Sequence, residues 1–204
     1  MSDTLDSQTR QLAAMAYGEA SLANNPDEIY AIASVLVRQR DARGYSDIGT
    51  FAASEPSFSF VVGDGNQRYS QLMAAKESNI EKNDGMRIAV EAAKNALSGG
   101  PDKSNGAYFW DGADIKSNYS HHFKVRQGIK FTSPTHNIYG IDESTKIVIK
   151  YKVVKIKVGK KTKTKKEEVS RYDHVYDSTS AYGGTIFWKF NPDFLTQSGN
   201  KEYK

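Results

Sequence analysis

The stretch Met15-Ala16-Tyr17-Gly18-Glu19-Ala20 decides the fold around it, because it brings one carboxylate to the end of an apolar helix face. Leu12, Met15 and Glu19 follow one another at steps of three and four residues, so a helix places them side by side. We therefore expect Glu19 to point toward the same core as its apolar neighbours.

A carboxylate in that position is expected to keep its proton. Its charged form is poorly solvated beside an apolar surface, and the negative end of the helix dipole also opposes ionisation. A carboxyl group that is protonated near neutral pH is suited to act as a general acid at a glycosidic oxygen. The alternative is a side chain whose tip simply reaches water.

Length and composition limit the classes of protein. A chain of 204 residues suits one domain with a substantial core, and we predict a single unit over 1–204. The absence of cysteine excludes cysteine peptidases and zinc–cysteine sites. No segment is apolar enough for a signal sequence or a membrane span, so we expect no membrane insertion. The formal net charge of +4 favours a polyanionic partner.

The predicted fold class is α+β, with a mostly helical core over 1–115 and a C-terminal β-hairpin extension within 140–190. Periodicity and capping residues predict helices over 7–20, 46–53, 67–80 and 84–97, and a further helix that opens at Asn25-Pro26. The Lys-rich segment 146–171 alternates as a hairpin that reverses at Gly159. The aromatic segment 185–190 is predicted to be a closing strand that docks on the helices.

Glu28 has two interpretations. In the first it belongs to a capping box, and its carboxylate folds back on the amide of Asn25 to stabilise the helix start. In the second it is another acidic group near Glu19, brought there by the short link between the first two helices. The sequence leaves both interpretations open.

Other polar and aromatic residues are candidates for substrate binding. Ser59 and Asp64 lie in a predicted loop and could face a substrate, although an Asp between glycines more often forms a turn. Tyr108 and Trp110 belong to an aromatic run whose rings suit stacking on sugars or bases where they are exposed.

The histidines and lysines also leave alternatives. The sequence contains four histidines, His121, His122, His136 and His174. They lack the spacing of a helical or strand zinc site, so a metal is unsupported and no cofactor is expected. The lysines of the hairpin either keep exposed strand edges from aggregating or bind a polyanion.

Several motifs in order resemble the SleB-like cell-wall hydrolase family. The residues 16–20 (Ala-Tyr-Gly-Glu-Ala) and 31–38 (Ala-Ile-Ala-Ser-Val-Leu-Val-Arg) resemble its opening. Further matches are Phe58-Ser59, Ala96-Leu97-Ser98-Gly99 and Gly106-Ala107-Tyr108-Phe109, so the resemblance covers roughly the first 115 residues.

The resemblance implies a lysozyme-like core that cleaves peptidoglycan glycan strands between N-acetylmuramic acid and N-acetylglucosamine. It implies that Glu19 is the catalytic acid and that Ser59 and Tyr108 lie near the groove. Under this hypothesis Tyr17 and Trp110 would line the groove together with Tyr108.

The C-terminal part departs from that family, because it carries the Lys-rich hairpin and its closing strand lacks the family's histidine. It is more similar to the lysozyme-like peptidoglycan-degrading domains at the C-termini of bacterial type VI secretion effectors. That similarity implies delivery by a larger secreted protein into the periplasm or wall of a target bacterium, with a secretion-apparatus carrier and an immunity protein as partners. Met1 would then begin a domain cut from that protein, and no nucleic acid partner is expected.

The mechanism implied by the resemblance has three forms. Glu28 would activate water if it lay about 6.5–9.5 Å from Glu19, or attack as a nucleophile at about 5–5.5 Å. Otherwise a muramic-acid hydroxyl attacks internally and gives an anhydro product, as in a lytic transglycosylase. The rival classes are a non-catalytic binder of cell wall or nucleic acid, and a zinc peptidase or amidase.

Overall fold

The computed structural model describes residues 5–56, 63, 65–159 and 161–204, and its fold class is α+β. The first half contains the helices α1 (Ser7–Glu19), α2 (Pro26–Arg43), α3 (Ile48–Ser54), α4 (Gln67–Ala74), α5 (Glu77–Ile80) and α6 (Asp84–Leu97). The second half contains α7 (Asp114–Ser117), α8 (Phe123–Gln127), α9 (Pro192–Ser198) and two 3-10 turns, Tyr119–His121 and Pro134–His136. The strands are β1 (Phe109–Asp111), β2 (Ile129–Lys130), β3 (Val148–Val158), β4 (Lys161–Tyr172), β5 (Tyr176–Tyr182) and β6 (Thr185–Phe190).

The first two helices begin where their capping residues predict. The Asp6 carboxylate accepts a hydrogen bond of 3.0 Å from the Thr9 amide at the start of α1. The Asn25 side chain accepts one of 3.1 Å from the Glu28 amide, and Pro26 occupies the first turn of α2. Each cap satisfies a backbone donor that the helix itself leaves unpaired. The predicted starts of α1 and α2 are confirmed.

The helical core forms where α6 packs against both α1 and α2. Leu12 and Met15 of α1 are fully buried, as are Ile32 and Leu36 of α2, and small residues of α6 such as Ala92 let the helices approach. Burial of each large apolar side chain contributes about 1.5–3 kcal/mol. This packing makes α1 a rigid platform for its last residue, Glu19.

The helix predicted over 67–80 is wrong as a single element, because the chain breaks between α4 and α5. Ala75 is extended, with φ −70° and ψ 138°. The Arg10 guanidinium of α1 donates to the carbonyl oxygens of Leu72 at 3.3 Å and Ala75 at 2.8 Å. The Leu72 carbonyl also accepts from the Ala75 amide at 3.2 Å. The end of α4 is thus bound by a side chain distant in sequence, and sequence periodicity does not register such a contact.

A four-stranded sheet in the order β1-β6-β5-β2 separates two apolar clusters. β1 and β6 are antiparallel, with Trp110 opposite Phe187. Phe187 packs into the helical core, whereas the adjacent Trp188 packs into a second cluster with Ile115 and Ile129. The prediction that 185–190 closes the fold against the helices is confirmed.

The predicted Lys-rich hairpin is also confirmed. β3 and β4 pair with each other from Val148↔Tyr172 to Val158↔Lys161, and Gly159 makes the reversal with φ +63°. At the base of this hairpin the Tyr172 ring contacts the Phe194 ring of α9, with centroids 5.3 Å apart. The paired strands form a sheet of their own, separate from the four-stranded sheet.

Within the described ranges, no helix is both long enough and apolar enough to cross a bilayer.

Candidate active site

Glu19 is the last residue of α1 and lies against the sheet. Its Oε2 atom accepts a hydrogen bond of 3.3 Å from the indole Nε1 of Trp110 in β1. Burial raises the pKa of Glu19 above its ordinary value of 4.5, and the Trp110 hydrogen bond opposes this by favouring the charged form. The expectation that Glu19 faces inward is met, and the group is biased toward keeping a proton.

Hydrogen bonds from α4 and its N-cap residue fix the end of α1 that carries Glu19. The Arg68 guanidinium donates to the carbonyl oxygens of Ala20 at 2.7 Å and Ser21 at 2.8 Å. The Asn66 side chain donates to the Gly18 carbonyl at 3.0 Å. These donors satisfy carbonyl groups that a helix C-terminus leaves unpaired, and the guanidinium charge offsets the negative end of the dipole. Glu19 is therefore positioned by contacts on both sides of it.

Glu28 is fully buried, with 0% of its surface exposed. Its carboxylate accepts hydrogen bonds from the Ser21 amide (3.2 Å) and hydroxyl (2.6 Å), from the Gly184 amide (3.2 Å) and from the Thr185 hydroxyl (2.7 Å). The capping-box expectation is corrected: the carboxylate bonds to Ser21 and the β5–β6 turn instead of folding back on the Asn25 amide. This geometry favours the structural interpretation of Glu28 over the catalytic one.

The β5–β6 turn is fitted closely around Glu28. Gly183 has φ +56°, and a Cβ atom added there would lie 2.2 Å from Glu28 Oε2. The Tyr139 hydroxyl donates to the Gly184 carbonyl at 2.5 Å. Burial raises the pKa of Tyr139, and the nearby charges of Glu28 and Asp114 add to the effect. Sequence patterns gave no signal for Tyr139, because its position depends on a loop between the two halves of the fold.

Trp110 is the aromatic candidate that the structure brings to Glu19. Tyr17 is only 6% exposed, and its ring is covered by the Arg68 guanidinium at 3.8 Å from the ring centroid, which favours a packing role. Tyr108 precedes β1 and lines a cavity of about 280 Å³ near the C-terminus, where its hydroxyl donates to Glu202 at 2.9 Å. The predicted contact of Tyr108 with a substrate stays a prediction.

Ser59 and Asp64, the two loop candidates, lie outside the described residues. Their predicted contact with a substrate stays a prediction.

A cluster that the sequence did not reveal lies on the opposite face of β1. One ligand atom each from Asp111, Asp114 and His122 lies within 4.8 Å of the others. The Lys124 ammonium donates to Asp111 Oδ1 at 2.7 Å, and His122 Nε2 lies 3.4 Å from Asp111 Oδ1 and 3.3 Å from Asp114 Oδ2. The hydrogen bond with Asp111 raises the pKa of His122. Because Lys124 donates to Asp111 and His122 lies within 3.4 Å of both carboxylates, the geometry favours an ion-pair network, and a metal ion would have to displace Lys124.

The remaining histidines are held by neighbouring polar groups. His174 contacts Asp177 through Nε2 at 2.9 Å and Asp173 through Nδ1 at 2.6 Å, and these bonds raise its pKa. His136 Nδ1 lies 2.9 Å from the Ser178 hydroxyl, and burial lowers its pKa. His121 Nδ1 lies 2.9 Å from the Ser120 hydroxyl. Among the described residues, the one grouping with metal-ligand geometry is that around His122.

In comparisons with models of known protein families, with curated proteins and with solved structures, the chain matches none of them.

Proposed function

We propose that the chain is a peptidoglycan glycan-strand hydrolase of the lysozyme type in which Glu19 is the general acid. The observation that carries the proposal is the half-buried position of Glu19 at the end of α1 beside Trp110, where desolvation raises its pKa. The resemblance of the motifs around Glu19 and Tyr108 to SleB-like hydrolases supports the same reaction. A lysozyme-like fold and a role as a type VI secretion effector domain belong to this proposal.

In the proposed reaction the protonated Glu19 donates to the oxygen that leaves when the glycosidic bond breaks. The proton neutralises the alkoxide that would otherwise form, while positive charge develops on the sugar ring. Trp110 then stabilises the carboxylate that Glu19 has become, because its N–H donates to Oε2. The Trp110 hydrogen bond thus stabilises the deprotonated Glu19 after the proton has been transferred.

The second step distinguishes hydrolysis from lytic transglycosylation. Water attacks the sugar cation in hydrolysis and gives a reducing end, whereas an internal muramic-acid hydroxyl gives an anhydro end. Glu28 is poorly suited to activate water in the arrangement described here, because its oxygens already accept four hydrogen bonds and are shielded from solvent. We therefore propose that the second group is not Glu28.

The proposal is tested by mass spectrometry of purified sacculi after digestion. The parent protein is expected to release soluble muropeptides with cut glycan and intact peptide stems. Glu19→Gln is expected to lower the release by at least about 100-fold, the contribution usual for a positioned acid. Glu81→Gln, on an exposed glutamate that directly follows α5, is the matched control and is expected to act as the parent does.

Two results would reject the proposal. Unchanged release by Glu19→Gln would remove Glu19 from the reaction. Cut stems with intact glycan would identify a peptidase or amidase, and loss of that activity in a chelator would point to a metal at the His122 cluster.

A further inference from the structure

The positive charge of the chain is concentrated in one projecting element. We call β3 and β4 with their turn the Lys-rich ribbon. Residues 148–172 contain nine lysines, one arginine and two glutamates, which is a formal charge of +8. Because the whole chain has +4, the remaining residues have −4. A basic element on an acidic body makes the electrostatic field of the molecule asymmetric, with its positive part at the ribbon.

The pairing of the strands orders these charges. Lys161, Lys163 and Lys165 of β4 share one face, where they lie opposite Val158, Ile156 and Val154 of β3. Residues two apart on a strand are about 7 Å apart, so the three ammonium groups form a row along the ribbon. The apolar residues opposite give the lysine stems a surface to lie on while their charged ends stay in water.

The glutamates neutralise only the base of the ribbon. Glu168 bonds to Arg171 at 2.7 Å, and Glu167 lies 3.7 Å from Lys152 and 3.9 Å from Lys165. Farther out, Lys155, Lys157, Lys161 and Lys163 are exposed, and none of them forms an ion pair with a described residue. Edge protection alone would not require a row of like charges, since these repel one another across the strands.

We propose that the Lys-rich ribbon docks on the carboxylate-bearing peptide stems of peptidoglycan, outside the cleavage site. This inference rests on the proposed function, because it assumes that the wall is the substrate. Charge complementarity carries it, because the charged side chains between Val153 and Lys166 are all lysines. A second point favours it over nucleic acid. Between Tyr151 and Glu168 the described residues of the two strands contain one aromatic ring, that of Tyr151, so the outer ribbon offers little surface on which bases could stack.

The test measures binding separately from cleavage. Glu19→Gln protein is mixed with purified sacculi at low salt and sedimented, so that no product formation disturbs the equilibrium. A second variant in that background replaces the outer lysines with glutamine, namely Lys155, Lys157, Lys161, Lys163 and Lys166. We expect its affinity to be at least about tenfold lower, because several charge contacts are lost together. A higher salt concentration is expected to lower the affinity of the protein with the unaltered ribbon for sacculi, because it screens the same charge contacts.

Three controls make the result specific. Replacing the same ribbon lysines with arginine keeps the charge and should keep the affinity. Replacing an equal number of exposed lysines on the body should leave the affinity within about twofold. These are Lys76, Lys82, Lys94, Lys116 and Lys130. Sacculi whose carboxylates have been converted to amides should lose binding.

The outcomes separate the two proposals. Unchanged affinity of the glutamine variant, full binding to amidated sacculi, or salt-insensitive binding by the unaltered ribbon would each overturn the docking surface. Tighter ribbon-dependent binding to a duplex DNA than to sacculi would replace it with a nucleic-acid interface. If the parent cuts no glycan while ribbon-dependent sacculus binding persists, the cleavage proposal alone fails.

Discussion

Among single residues, Glu19 links protonation to stability. Burial raises the pKa of Glu19, so the native state holds this proton more tightly than the unfolded chain does. The protonated Glu19 therefore stabilises the folded state. This contribution is fully present below the ordinary glutamate pKa of 4.5 and is lost as the pH rises through the raised pKa. We expect Glu19→Gln to melt on the order of 2 °C above the parent at pH 7. The difference should shrink toward zero near pH 4 in calorimetry, and a constant difference would contradict the raised pKa.

Trp110 provides a second test of the same carboxyl group. Its hydrogen bond favours the charged form of Glu19, so Trp110→Phe should raise the pKa of Glu19 further. If cleavage requires the protonated acid, the alkaline limb of the pH–rate profile moves to higher pH in this variant. The profile is measured with a solubilised glycan strand. A limb at the parent position would mean that another group controls it.

Glu28 is expected to govern stability. Glu28→Ala would leave buried donors of Ser21, Gly184 and Thr185 without their acceptor. The expected loss in the free energy of unfolding is about 3–5 kcal/mol. Urea denaturation measures it, with the exposed Glu81→Ala as the control. A loss below about 1 kcal/mol, close to what substitution of an exposed residue causes, would show that the Glu28 carboxylate contributes little to stability.

The residues of the site differ in how far their roles could be predicted from the sequence. The inward position of Glu19 could be predicted, because it depends on the spacing of residues within one helix. The other contacts depend on which strand lies beside which helix. They are the Trp110 hydrogen bond to Glu19, the hydrogen bonds from the β5–β6 turn to Glu28, and the cluster around His122. Those contacts join residues as far apart as Glu28 and Thr185, and no local pattern encodes them.

At the scale of elements, two glycines in similar backbone conformations allow a matched comparison. Gly183 has φ +56° and a Cβ there would collide with Glu28, whereas Gly159 has φ +63° and no atom within 4 Å of the added Cβ. Gly159→Ala should cost about 1 kcal/mol, which is the backbone penalty alone. Gly183→Ala should cost at least about 2 kcal/mol more, because the carboxylate must move. Equal losses in thermal denaturation would mean that the turn adapts freely around Glu28.

Elements whose signals are local were predicted from the sequence. The starts of α1 and α2 follow from Asp6, Asn25 and Pro26, and the ribbon follows from its alternation. β5 was missed because its strand is rich in Ser, Thr and Asp, which favour turns when considered alone. It forms because β6 on one side and β2 on the other supply partners for its backbone. The break after Ala74 was missed for the related reason that its carbonyl groups are bound by Arg10, which is distant in the sequence.

At the scale of the whole molecule, the ribbon should be dispensable for folding. Its outer strands are exposed and pair only with each other, while its base contacts α9 through Tyr172. Replacing 151–168 with a short glycine linker removes eight lysines and two glutamates, so the formal charge falls from +4 to −2. We expect the melting temperature to change by less than about 2 °C. A large drop would show that the ribbon belongs to the folded core.

The neighbouring side chains Phe187 and Trp188 of β6 pack into different apolar clusters on opposite faces of one strand. If either half unfolds, β6 is disrupted and the apolar cluster of the other half loses the β6 side chains that pack into it. Backbone amides of α2 and of β5 should then exchange with deuterium through the same global opening, with equal protection free energies despite their distance. We therefore expect the two apolar clusters of the described residues to unfold in a single transition.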